Sequence, residues 1–286
     1  SGPTPSSANG IRNRAERPAI IVGNGARPFR DAVVRLAELI DAPIINTFKA
    51  KGIVGEEHPL ACGTLGRSGT PVASAVMGGS DCLLVLGASF SNHTGISANK
   101  PTIQVDFDRM ALGRFHDIDV PLWGEIGSTV GELCRGLVAV ARPHIRTEIA
   151  ERWSRWDDEK KRRAALVDDD GRMHPARLFQ VLSDLIPDYA VIAVDVGNNT
   201  YAFGHYFTNT GHQDVLMSGY LGSIGFALPA ALGAWAATGG RRKIVSISGD
   251  GGLGQYLAEF TTAVKYGMDI THIVLNNDEL AKISRE

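Results

Sequence analysis

The chain has 286 residues, of which 44% are hydrophobic and 21% are charged, and its formal charge at pH 7 is −2. This length favours two domains, because most domains contain roughly 100–200 residues. The small net charge excludes a general attraction to nucleic acid or to an anionic membrane, and no run of about 18 apolar residues predicts a membrane-spanning helix.

The three cysteines, Cys62, Cys82 and Cys134, form no C-x-x-C pair. They therefore favour a reducing, cytoplasmic setting and do not suggest a zinc site. Cys82 begins an apolar run and is expected to be buried. Residues 1–17 do not resemble a signal peptide and are predicted to be a linker or a cloning remnant.

A first alternation of strands and helices is predicted for residues 18–145. Its short apolar runs are typical of strands that are buried on both faces. The predicted elements are strand 19–23, helix 29–40, strand 43–48, helix 72–78, strand 83–86 and strand 102–107. Strands that alternate with helices indicate a parallel sheet with helices on both of its faces.

Residues 146–172 are predicted to form a charged helical linker. The stretch 148–166 mixes acidic and basic side chains densely. Because both signs are interspersed, this charge run indicates a solvated helix face rather than a binding site.

A second alternation is predicted for residues 173–286. Its elements are helix 175–185, strand 190–196, helix 229–237, strand 243–248, helix 253–266 and strand 271–275. The predicted fold class is thus α/β, with two doubly wound parallel-sheet domains. The chain ends where a further helix would begin, so we expect a truncated second domain.

Asp250 stands between two glycines directly after a predicted strand. Residues 249–254 match the G-x-G-x-x-G pattern of dinucleotide-binding proteins, so an NAD-type oxidoreductase is one interpretation. However, a carboxylate at this place would repel a pyrophosphate. A divalent cation between the two groups would turn the repulsion into a shared attraction.

The cation interpretation uses a second segment, in which Asn276 and Asn277 follow the next predicted strand. In a parallel β-α-β unit both strands end at the same edge of the sheet, so Asp250 and Asn277 are expected to converge there. Mg²⁺ is commonly bound by one or two carboxylates, neutral oxygens and phosphates. Gly251 and Gly252 would let the backbone approach the ligand closely.

Gly-Asp-Gly followed at this spacing by Asn-Asn resembles the signature of thiamine-diphosphate-dependent enzymes. The wider text around both motifs is similar to the pyruvate oxidase and acetohydroxyacid synthase group. This resemblance implies thiamine diphosphate and Mg²⁺ as cofactors, with Gly249–Gly252 near the diphosphate. It also implies that the side chains of Asp250 and Asn277 and the backbone carbonyl of Glu279 bind the metal.

An upstream segment, Asp195–Asn199, follows another predicted strand. By resemblance, Gly197, Asn198 and Asn199 lie where the family places polar groups on the diphosphate. The two asparagines are equally consistent with a turn or a helix cap.

The glycine-rich segment Gly219–Pro229 resembles the loop that contacts the aminopyrimidine of the cofactor. The resemblance assigns Gly222, Ser223 and Ile224 to this contact. The carbonyl of Gly222 would accept from the amino group, and Ile224 would be the apolar wedge, where many members have methionine. The alternative is a glycine-rich helix entry.

Residues 18–145 resemble the family's Rossmann-like central domain, which binds FAD in some members and ADP in others. The turn at Gly23–Gly25 and the strand ends near Gly87 and Asp106 carry this resemblance. No arginine occurs between Ser89 and Gly95, where flavin-binding synthases usually have one. FAD, ADP and an empty scaffold thus remain open.

The resemblance implies an enzyme that acts on a small-molecule 2-oxo acid, by decarboxylation followed by carboligation or oxidation. It implies a homodimer or homotetramer, because the glutamate that activates the cofactor belongs to another domain of a partner subunit. No catalytic residue is therefore expected on this chain. A non-catalytic nucleotide-binding or assembly subunit remains the non-enzymatic alternative.

Overall fold

The computed structural model describes residues 15–89, 94–97, 99–167 and 171–277. The chain forms two compact units, which divide between Glu159 and Lys160. This division falls inside the segment 146–172 that was predicted to link residues 18–145 to residues 173–286. Each unit contains its own parallel sheet, as predicted from the two alternating patterns.

In the part of the first unit that the structure describes, six parallel strands form one sheet. Its strands are β1 (Pro18–Val22), β2 (Ile44–Asn46), β3 (Ala61–Thr64), β4 (Cys82–Leu86), β5 (Thr102–Asp106) and β6 (Val120–Trp123). Its helices are α1 (Arg30–Ile40), α2 (Pro71–Gly79) and α3 (Ile126–Arg135), followed by α4 (Pro143–Ala164), of which residues 143–159 belong to this unit. The strand order β3-β2-β1-β4-β5-β6 changes direction between β1 and β4. Ligands of such sheets bind beyond the carboxyl ends of the strands at this switch point.

The sequence predicted four of these six strands. All residues of β1, β4 and β5 are buried, as expected of apolar strands that are covered on both faces. The strands β3 and β6 were not predicted, because β3 contains only small residues and a glycine. Strand β6 contains a proline, which is compatible with its place at the edge of the sheet.

Helix α4 begins earlier than predicted and has one buried side. Ile145 and Ile149 are buried, and the indole nitrogen of Trp153 donates a 2.8 Å hydrogen bond to the carbonyl oxygen of Ala61. Its amino-terminal half is therefore packed within the first unit. The intrahelical ion pair of Glu151 with Arg155 is exposed, as predicted for the charged face.

Among its described residues, the second unit has one sheet of four parallel strands. They are β7 (Val191–Val194), β8 (Asp214–Met217), β9 (Ile244–Gly249) and β10 (Ile270–Leu275), in the order β10-β9-β7-β8. Its helices are α5 (Pro175–Leu185), α6 (Asn198–Tyr206), α7 (Ala227–Thr238), α8 (Asp250–Gln255) and α9 (Phe260–Lys265). The chain runs from β7 outward to β8 and then returns to β9 on the other side. The switch point therefore lies between β7 and β9.

The prediction of a single helix for residues 253–266 is wrong. This segment contains the end of α8, a 3₁₀ turn at Leu257–Glu259 and α9. Tyr256, between α8 and the 3₁₀ turn, has a non-helical φ of −128°. Three of the first five residues of α8 are glycines, which disfavour helix. Among the described residues, no helix is long and apolar enough to cross a membrane.

Candidate functional site

The carboxyl ends of β7 and β9 lie side by side at the switch point of the second unit. Val194 pairs with Ile247, and the backbone nitrogen of Asp195 donates a 2.9 Å hydrogen bond to the carbonyl oxygen of Ile247. The segments that begin at Asp195 and at Gly249 therefore leave the sheet next to each other. These two segments carry most of the predicted site residues.

Asp195 lies at this edge of the sheet and was not predicted to be a site residue. Its side chain is 1% exposed. One carboxylate oxygen, Oδ1, accepts hydrogen bonds from the backbone nitrogens of Val196 at 2.7 Å, Gly225 at 2.8 Å and Phe226 at 3.2 Å. Burial raises the pKa of the Asp195 carboxyl, and these hydrogen bonds act in the opposite direction.

Gly252 brings α8 against the other carboxylate oxygen of Asp195. A Cβ atom at position 252 would lie 2.2 Å from Oδ2 of Asp195. Two heavy atoms cannot approach so closely, so this contact requires glycine. Gly252 is buried in that contact, whereas Gly251 is partly exposed.

Asp250 and Asn277 lie at the same edge of the sheet. Leu275 pairs with Gly249 in the parallel register of β10 and β9. Asp250 directly follows β9 and is partly exposed, while Asn276 and Asn277 directly follow β10 and are exposed. These two segments therefore leave the sheet side by side, as expected for neighbouring parallel strands.

The donor types at this edge fit Mg²⁺. A carboxylate and an amide oxygen are hard ligands, and Mg²⁺ takes few protein oxygens together with phosphates and water. The third predicted ligand, Glu279, lies outside the described residues. Within those residues, no group of three His, Cys, Asp or Glu side chains is placed to hold a metal.

Gly197 ends the turn between β7 and α6, and Asn198 and Asn199 are the first two residues of α6. Gly197 has φ 149° and ψ −159°, a conformation essentially restricted to glycine. Asn199 is 4% exposed, and its Nδ2 donates a 2.8 Å hydrogen bond to the carbonyl oxygen of Asp195. This hydrogen bond stabilises the turn, whereas Asn198 is exposed at the site.

Gly222, Ser223 and Ile224 lie on the loop between β8 and α7. Gly222 is exposed with φ 72°, and a Cβ atom there would be 3.8 Å from Cγ1 of Val196. The backbone nitrogen of Ser223 donates a 3.0 Å hydrogen bond to Oγ of Ser218, and Ile224 is partly buried. The loop therefore lies beside the turn that follows β7.

A half-buried histidine lies in β10 near this edge. Nε2 of His272 is 3.1 Å from Oγ of Ser248, and the rings of His272 and Phe260 meet edge to face at 5.5 Å between centroids. Within the described residues, Nδ1 of His272 is buried without a hydrogen-bond partner. Burial lowers the pKa of His272, because a charged ring there would lose solvation.

We expect this histidine to destabilise the second unit in acid. Because its folded pKa lies below its unfolded pKa, stability is fully present above the unfolded value and falls as the pH decreases below it. The slope for one proton is at most about 1.4 kcal/mol per pH unit. Urea unfolding between pH 5 and pH 7.5 would measure it, and His272→Gln should flatten the dependence. If stability falls with decreasing pH as steeply in His272→Gln as in the wild type, His272 is not the group responsible.

The first unit also has polar atoms at the carboxyl edge of its sheet. Oδ1 of Asn46, at the end of β2, and Oγ1 of Thr64, at the end of β3, are buried without a hydrogen-bond partner among the described residues. Asn46 and Thr64 are register partners in the paired strands. Buried polar groups are usually satisfied by protein, water or ligand, so a water molecule or a ligand would be a suitable partner for these two atoms.

The site of the second unit thus combines hard-oxygen donors with glycine-rich turns at the switch point of a parallel α/β sheet. This arrangement is typical of proteins that hold a phosphate group through a divalent cation.

Comparison with known proteins defines the family. Residues 8–133 match the profile of the thiamine pyrophosphate enzyme central domain, and residues 195–286 match that of the C-terminal TPP-binding domain. The chain therefore belongs to the thiamine pyrophosphate enzyme family, with the central and C-terminal domains that its sequence resembles.

Curated relatives align along nearly the whole chain. A protein of Bacillus subtilis described as thiamine pyrophosphate-containing is 30% identical over 276 residues, which cover 96% of this chain and 47% of the relative. The large subunit of acetolactate synthase isozyme 1 of Escherichia coli is 28% identical over 279 residues, with coverages of 96% and 48%. The acetolactate synthase of Mycobacterium bovis is 28% identical, with coverages of 94% and 45%. The chain spans about half the length of these relatives.

Proposed function

We propose that this chain holds thiamine diphosphate through Mg²⁺ and is part of an enzyme that acts on 2-oxo acids. The observation that carries the proposal is the placement of Asp250 beside Asn276 and Asn277, set by the pairing of Gly249 with Leu275. The acetolactate synthases among the relatives favour decarboxylation followed by carboligation, with oxidation as the alternative outcome.

The chain's own residues would bind and orient the cofactor. Asp250 and Asn277 would bind the metal together with Glu279, and Asn198 would face the diphosphate. The carbonyl of Gly222 and the side chain of Ile224 would contact the aminopyrimidine. The bound cofactor supplies the chemistry of decarboxylation, and the protein supplies binding, orientation and exclusion of water.

Binding of thiamine diphosphate to the wild-type chain tests this proposal. We expect isothermal titration calorimetry to show binding with Mg²⁺ and none after EDTA, because the diphosphate and Asp250 repel each other without the cation. NAD in place of thiamine diphosphate is the control. Binding of NAD that does not require Mg²⁺ would favour the oxidoreductase alternative.

We also propose that the intact protein is a homodimer or homotetramer in which a partner subunit supplies the activating glutamate. Light scattering of the intact protein would measure its oligomeric state, and release of CO₂ from pyruvate would measure its activity. Cofactor binding without any turnover of 2-oxo acids would favour a non-catalytic subunit.

The first unit is proposed to hold FAD or ADP at the carboxyl edge of its sheet. The unpartnered atoms of Asn46 and Thr64 support this proposal, because a bound polar ligand would satisfy them. Chromatography of the nucleotides released from purified protein would distinguish FAD from ADP. Absence of both, with no binding of either on addition, would indicate an empty scaffold.

A further inference from the structure

Asp195 connects three elements of the second unit that are distant in sequence. It follows β7, its Oδ1 binds the backbone of Gly225 and Phe226 at the start of α7, and its Oδ2 lies against Gly252 in α8. We propose that Asp195 is a positioning residue that fixes the loop 218–226 relative to the start of α8, an inference that rests on the proposed function.

A second contact joins the same two segments. Gly225 has φ 86°, and a Cβ atom there would lie 2.4 Å from the ring of Tyr256, which directly follows α8. The end of the loop at Gly225 therefore lies close to α8 in two ways, through Asp195 against Gly252 and through Tyr256 after the helix. Glycine is required at position 225 both by its φ and by this contact.

The energetics explain why a carboxylate occupies this position. A buried carboxylate loses its hydration, and this loss must be offset by hydrogen bonds. Three backbone N–H groups and the amino terminus of the 12-residue helix α7 favour the negative charge. In the described structure the N-cap residue of α7 is Phe226, whose side chain cannot cap the helix. Asp195, which follows β7, thus caps α7 in place of the Ser or Asp that is usually found at the N-cap position itself.

This connection matters only for a ligand that extends over both segments. Asp250 in α8 is assigned to the metal and diphosphate end of the cofactor, and Gly222 and Ile224 are assigned to the pyrimidine end. If Asp195 sets the separation of the two ends, its loss weakens binding of the whole cofactor. Binding of a diphosphate group alone would change little, because that group contacts only one end.

The experiment compares two ligands on Asp195→Ala and Asp195→Asn in the 286-residue chain. Thiamine diphosphate and inorganic pyrophosphate are titrated separately, both with Mg²⁺. We expect Asp195→Ala to weaken thiamine diphosphate binding about 10- to 100-fold and pyrophosphate binding less than about threefold. Asp195→Asn retains an acceptor at Oδ1, so its loss of thiamine diphosphate affinity should be smaller, about threefold.

Asp214→Asn is the matched control. Asp214 lies at the amino end of β8, and its carboxylate is paired with Arg242. This variant should change neither affinity, even if it lowers stability. If circular dichroism shows that Asp195→Ala is unfolded, the ratio of the thiamine diphosphate and pyrophosphate affinities of Asp195→Asn tests the proposal instead.

Two outcomes would overturn the role of Asp195. Equal losses for the two ligands would show a general structural effect, and unchanged thiamine diphosphate binding would show no role in positioning. A wild-type chain that binds neither ligand would instead contradict the proposed function.

Discussion

Asp250→Ala is expected to weaken Mg²⁺-dependent binding of thiamine diphosphate by at least about 100-fold, because even residues that only support a metal ligand contribute about 10- to 100-fold to affinity. The alanine variant loses the only charged side chain proposed to bind the metal. Asp250→Asn keeps an oxygen donor but no charge and should bind with intermediate affinity. Calorimetric titration of the cofactor at a fixed Mg²⁺ concentration measures both variants.

Asp269→Ala is the matched control for this prediction. Asp269 directly precedes β10, at the opposite edge of the sheet from Asp250, and its side chain is 84% exposed in an ion pair with Lys243. Exposed ion pairs contribute little to stability, so this variant should bind the cofactor like the wild type. An equal loss in both aspartate variants would contradict the metal site. Cofactor binding in Asp250→Ala at wild-type affinity would do the same.

Much of the fold could be predicted because the chain consists of parallel strands that alternate with helices. Continuous apolar runs such as Ile20–Val22 and Leu83–Leu86 have one consistent interpretation, a strand covered on both faces. Parallel strands place their carboxyl ends at one edge, so the positions of Asp250 and Asn277 followed from topology alone.

The contacts around Asp195 could not be predicted in the same way. Its carboxylate meets Gly225 and Gly252, which are 30 and 57 residues away in sequence. No local pattern shows that a buried acid caps a distant helix. The helix predicted for residues 253–266 is divided at Tyr256, and the ring of that residue lies against Gly225, a contact that no local pattern shows.

Strand β8 was missed for a different reason. Its residues, Asp214–Met217, are only partly buried apart from Val215. Four residues that begin with an aspartate do not form the continuous apolar run by which the buried strands were found. Of the two edge strands of this sheet, β10 was predicted from its apolar run and β8 was not.

Gly23→Ala is expected to destabilise the first unit by about 3 kcal/mol, near the upper end of the usual cost of overpacking. A Cβ atom at position 23 would lie 2.0 Å from the carbonyl oxygen of Gly87 and 2.4 Å from Cα of Ala88. Both are backbone atoms of the turn that follows β4, so relief of the clash requires one of the two turns to move. The backbone of Gly23, with φ −98° and ψ 174°, is accessible to any residue, so the cost arises from the contact alone.

Gly131→Ala in α3 separates this contact from the general effect of adding a methyl group. A Cβ atom at position 131 meets no atom of the described residues within 4 Å. Alanine should therefore stabilise this helix by about 0.5–1 kcal/mol. Urea unfolding followed by tryptophan fluorescence measures both variants, because three of the four tryptophans belong to the first unit. If Gly23→Ala unfolds at the same urea concentration as the wild type, the turns after β1 and β4 are not in the close contact described.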